Sequence, residues 1–67
     1  MTPNQIRNKA LKVCKDHDEA RKAWERVTAD PRCHGKTLRA ARLVMLQVLA
    51  DGGIVADAEQ AAREELA

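Results

Sequence analysis

Thr37-Leu38-Arg39-Ala40-Ala41-Arg42-Leu43-Val44-Met45-Leu46-Gln47-Val48-Leu49-Ala50 is the stretch on which the fold turns. After Arg42 its apolar residues cover nearly the whole circumference of a helix. A helix that is apolar all round is buried on more than one side. A chain of 67 residues has little protein with which to bury it. The stretch therefore points to self-association or an obligate partner, with a homodimer as the expected working form. Leu43, Met45, Leu46 and Leu49 are its expected core and dimer positions. Asp51-Gly52-Gly53 ends the helix, with Gly52 suited to a left-handed cap.

Upstream, Asp30-Pro31-Arg32-Cys33-His34-Gly35-Lys36 reads as a loop punctuated by proline and glycine. Before it, the chain opens on a clear helix start. Thr2 is placed to cap, Pro3 takes the first helical position and Gln5 the third, which makes a capping box. From there Ile6, Ala10, Val13, His17, Ala20, Trp24 and Val27 recur at spacings of four and three. That is a coiled-coil-like seam with one polar member, His17. Asp16 with Glu19 offers a rival capping box and hence a break near Lys15. The seam keeps its phase across that point and favours one helix over residues 3–29, about 40 Å long.

Downstream, residues 54–66 form a third, short helix. Its thin stripe of Val55, Ala58, Ala62 and Leu66 needs a neighbour to be stable. Asp57 with Gln60 would cap a shorter version starting at Ala58. The expectation is thus one all-α domain of three helices over residues 1–67. The long first helix packs antiparallel to the second, and the third folds back or reaches a neighbouring chain. Composition agrees: there is no Phe, no Tyr and a single Trp, so strands lack the residues they favour and Trp24 is the only large anchor. The expected core and dimer seam combines Ile6, Val13, His17, Trp24 and Val27 with the apolar residues of the second helix.

Charge is unevenly distributed. Residues 1–42 hold eleven Lys/Arg against five Asp/Glu, a net of +6, and residues 43–67 hold one against five, a net of −4. The split suggests an anionic partner for the first part, or complementarity within or between chains. Arg32, His34, Lys36, Arg39 and Arg42 crowd the start of the second helix, where positive charge opposes the helix dipole. Charge placed against the local field points to a partner, and these five are the candidate partner-binding residues. The outer face of the first helix mixes both signs and reads as a solubilising surface.

Several sites are set aside. Cys14, His17, Cys33 and His34 are of zinc-ligand type, but a continuous helix holds Cys14 roughly 22 Å from the loop that carries Cys33. The same separation excludes a disulfide between the two cysteines. Cys14 is then a small core residue and Cys33 a free loop thiol. Gly35-Lys36-Thr37 lacks the earlier glycine and the strand of a phosphate-binding loop. A helix-turn-helix across residues 43–65 would present an acidic recognition helix to phosphates. No catalytic spacing stands out, and no metal or cofactor is expected.

No stretch reaches the roughly 20 apolar residues of a membrane span, and no secretion signal is evident, so a cytoplasmic location is expected. The expected function is a small non-catalytic regulator that binds a protein with an acidic surface and inhibits or adapts it. Size and Ala/Arg-rich composition fit a bacterial, phage or mobile-element product. The alternative is a dimeric nucleic-acid-binding regulator using the basic loop and first helix, disfavoured by the lack of aromatic stacking residues.

Overall fold

Four helices, rather than three, account for the chain in a computed structural model that describes residues 1–67. They are α1 (Pro3–Val13), α2 (His17–Thr28), α3 (Gly35–Ala50) and α4 (Val55–Glu64), with no strand. The capping box of α1 forms as read. Thr2 Oγ1 accepts from the Gln5 backbone N–H at 3.2 Å, and Gln5 Oε1 accepts from the Thr2 N–H at 2.9 Å.

The single helix over residues 3–29 does not form. It would measure about 40 Å, longer than the 30 Å greatest extent of the molecule. The chain leaves the helix at Cys14, whose ψ of 123° is extended, and re-enters behind Asp16. Asp16 Oδ1 accepts from the Glu19 N–H at 3.0 Å, so the rival cap is the one that forms. His17 closes the corner: its Nε2 lies 2.8 Å from the Leu11 carbonyl oxygen, one of the acceptors left free at the end of α1. A carbonyl only accepts, so Nε2 carries the hydrogen. His17 and Val13 are consequently exposed, and the seam is shared between two helices instead of running along one.

The break has a packing reason. α1 lies against α3, α2 lies against α4, and α3 lies against α4. A rigid rod over residues 3–29 could not serve both α3 and α4 within this envelope. The apolar α3 is accordingly covered on two sides by its own chain. Part of the burial that suggested a second subunit comes from the chain itself, while Leu38, Leu43, Val44, Leu46 and Val48 of α3 stay half-buried, and α4 packs within its own chain.

Lys15 offers a direct check on the corner. Its backbone N–H donates no backbone hydrogen bond, and Cys14 before it already has the extended backbone that precedes proline comfortably. Lys15→Pro is expected to change unfolding free energy by less than about 1 kcal/mol. In the interior of a continuous helix the same change costs about 3 kcal/mol or more. Urea unfolding followed by circular dichroism separates the two.

Twelve residues are buried, six of them alanines: Ala10, Ala23, Ala41, Ala50, Ala58 and Ala62. Small side chains let helix axes approach closely, and Ile6, Val27, Met45, Leu49 and Leu66 fill what remains. No polar or charged residue is buried. The cysteines exchange the places expected of them: Cys33 is buried in the core, while Cys14 is half-buried at the corner, and both are free thiols. Cys33 enters the core because Asp30 turns the loop inward, its carbonyl accepting from the Cys33 N–H at 2.9 Å.

The end of α3 is a Schellman turn. Gly52 N–H donates to Leu49 O at 3.1 Å and Gly53 N–H to Val48 O at 2.9 Å. Gly52 has φ of 87°, the left-handed region expected of it. A Cβ on Gly53 would come within 2.6 Å of Val48 Cγ1 and 2.9 Å of its carbonyl oxygen, so this position has room only for glycine.

Charge also holds α4 in place. Glu59 accepts from Arg26 of α2, at 2.7 Å from its Nη2, and from Arg63 one turn further along α4, also at 2.7 Å. Hydrogen bonds from Arg26 and then Arg63 hold the Glu59 carboxyl down at about 2.

Candidate partner-binding surface

The corner between α1 and α2 creates an apolar concavity. α1 is held by α3 and α2 by α4, so the two do not close on each other. Between them, floored by α3, lies a groove of about 240 Å³. α1 contributes Ala10 and Leu11, Cys14 sits at the corner, and α2 contributes His17, Ala20, Arg21 and Trp24. Arg42, Met45, Leu46 and Leu49 come from α3. Eight of these eleven residues are hydrophobic, so the groove is lined for apolar contact. Trp24 is half-buried in its wall, and Leu11 remains 49% exposed.

A second, more polar concavity of about 360 Å³ adjoins the first. It is formed by Pro3, Asn4 and Arg7 of α1 with Arg39, Arg42, Leu43 and Leu46 of α3. Arg42 and Leu46 line both. Groove and cleft are therefore one strip, apolar at one end and rich in arginine at the other.

The arginines divide sharply. Seven occur in the chain. Arg21 reaches Asp18 and Glu25, Arg26 reaches Glu19 and Glu59, Arg32 reaches Asp30, and Arg63 reaches Glu59. The other three, Arg7, Arg39 and Arg42, have no carboxylate partner, and all three line the cleft. The five lysines are unpaired as well, but none lines either concavity.

Of the five basic residues singled out in sequence, the fold brings Arg39 and Arg42 together and adds Arg7. Arg32 is engaged locally: its guanidinium grips Asp30 at 2.7 Å and its backbone N–H donates to the same carboxylate at 2.8 Å. Hydrogen bonds from the Arg32 side chain and backbone hold Asp30 at about 2. His34 and Lys36 are exposed at the start of α3 and line neither concavity. The His34 side chain makes no capping bond. Of the apolar positions singled out, Ile6, Val27, Met45 and Leu49 are buried, whereas Trp24, Leu43 and Leu46 are half-buried along the strip.

The residues of zinc-ligand type do not assemble. No three His, Cys, Asp or Glu side chains stand close enough together to hold a metal ion. No helix is long and apolar enough to cross a membrane. In comparison with known proteins, no family model, no curated protein and no solved structure matches this chain.

Proposed function

We propose that this chain is a small non-catalytic interaction module that binds a protein partner through the strip between α1, α2 and α3. The observation that carries the reading is the union of an apolar groove walled by Trp24 with a cleft of three unpaired arginines. Tryptophan and arginine are among the residue types that dominate binding energy at protein interfaces. The strip stays open although a core of twelve buried residues lies behind it, so a partner adds contact without displacing any part of the fold. Regulation by occlusion follows from this arrangement: a partner surface seated on the strip is unavailable to anything else.

The arginine cleft favours a second reading, a nucleic-acid-binding regulator that neutralises phosphates with Arg7, Arg39 and Arg42. It leaves the apolar groove unused, and Trp24 is the only large aromatic side chain on which a base could stack. A homodimer is compatible with either reading.

Size-exclusion chromatography with light scattering, at low and high salt and with absorbance at 260 and 280 nm, tests the choice. One tryptophan absorbs weakly, so bound nucleic acid is conspicuous. The protein-partner reading expects no excess at 260 nm at either salt. An excess that disappears at high salt transfers the assignment to nucleic acid, and the scattered mass reports the oligomeric state in the same run.

A further inference from the structure

The chemistry of the strip narrows the kind of partner. We infer that its occupant is an acidic amphipathic α-helix of another protein, laid along α3 with its apolar stripe in the groove and its flanking carboxylates on Arg7, Arg39 and Arg42. This rests on the protein-partner reading above.

Dimensions come first. The strip follows α3 from Arg39 to Leu49, eleven residues whose ten helical rises cover about 15 Å. That length accepts nearly three turns of a partner helix, with anchors at positions i, i+3 or i+4, and i+7. Helix-in-groove recognition is read in this way. Trp24, Met45 and Leu46 are the surfaces those anchors meet.

Charge decides the flanks. Four of the seven arginines find carboxylates within the chain, while the three in the cleft find none. Guanidinium groups bind carboxylates through paired, directional hydrogen bonds. Two of the three stand on one face of α3 at a spacing of three residues, and the third faces them from α1. A helix carrying Asp or Glu one turn apart beside its apolar stripe matches both the spacing and the sign. A phosphate backbone matches the sign only and has nothing to place in the groove.

The chain cannot supply this helix from its own fold. Its one acidic helix is α4, already packed on α3 and α2 and tied to Arg26 through Glu59. A second copy could offer α4 only by unfolding it.

The experiment is a selection against the folded full-length chain, using a displayed library of helix-forming, tryptophan-free peptides about 18 residues long. Binders are then measured through the emission of Trp24, which reports on the groove wall directly. The expected binders carry apolar residues at i, i+3 or i+4, and i+7 flanked by Asp or Glu, and they change Trp24 emission. Arg39→Glu and Arg42→Glu each weaken them by about tenfold or more, as close charge pairs across an interface do. Arg39→Gln and Arg42→Gln weaken them in the same direction. Both side chains are exposed and unpaired, so the helical signal of these variants is unchanged. Binders without acidic enrichment, indifferent to the arginine changes but lost in Leu46→Asp, overturn the acidic-helix inference and leave the protein-partner reading standing. A library that yields no binder overturns both. So does arginine-dependent binding of a duplex of about 20 base pairs that competes with the peptides and is the tighter of the two at moderate salt.

Discussion

Replacing Ala58 by leucine lowers stability by about 2–3 kcal/mol and the melting temperature by roughly 10–20 °C. Ala58 is completely buried on the face of α4 that packs into the domain. α4 meets α3 and α2 at once, so the extra carbons have no free side into which to turn. Overpacking of this kind is relieved only by moving backbone or forcing poor rotamers. The loss is large for a domain whose total stability, scaled by length, is about 3–10 kcal/mol. Ala56→Leu is the control. Ala56 lies on the same helix but is exposed, and the change there stays within about 0.5 kcal/mol. Thermal melts followed at 222 nm compare the two. Equal melting temperatures for the variants would mean that α4 does not seat its alanines against the other helices.

That alanine-based packing was visible in composition but not in its partners. The Thr2-Pro3-Gln5 start and the Gly52 cap are local signals, and each forms as read because it involves residues about a turn apart. The corner at Cys14–Asp16 was ambiguous for a physical reason. A seam repeating every three or four residues keeps its phase whether the helix continues or breaks, provided both halves face a common core. What decides the matter is that α3 takes one half of the seam and α4 the other, and a straight rod cannot reach both. The same non-local choice exchanges the cysteines, because both expected placements depend on a straight helix.

The partner surface was legible in part. Arg39 and Arg42 stood out because positive charge at a helix start opposes the dipole. Arg32 belonged to the same cluster, yet Asp30 two residues away claims it. Arg7 carried no local signal at all. Only the packing of α1 on α3 brings it to the cleft, and only the census of ion pairs separates these three arginines from the other four. The groove itself exists because α1 and α2 turn away from each other, so a reading with one continuous helix had no place for it.

Acid is expected to destabilise the fold between about pH 4.5 and pH 2, and Glu59→Gln is expected to remove much of that sensitivity. Arg26 and Arg63 hold the Glu59 carboxyl at about 2, against an ordinary value of 4.5. As the pH falls, the unfolded chain therefore takes up the proton first. Stability contributed by Glu59 is complete above the ordinary value and is lost as the pH falls toward the folded one. Asp30 acts in the same direction, held at about 2 against an ordinary 3.8 by Arg32. Two variants separate them. Glu59→Gln flattens the portion due to the clamp between α2 and α4, and Asp30→Asn flattens the portion due to the loop. Arg63 draws on both carboxyls, so the two effects are coupled and the double variant departs from their simple sum. Glu59→Lys goes further, setting a third cation beside Arg26 and Arg63, and loosens α4 even at neutral pH. Melting temperatures measured from pH 7 to pH 2 provide the test. If Glu59→Gln follows the wild-type curve throughout, the clamp contributes nothing in solution, and α4 is held by its buried alanines and Leu66 alone.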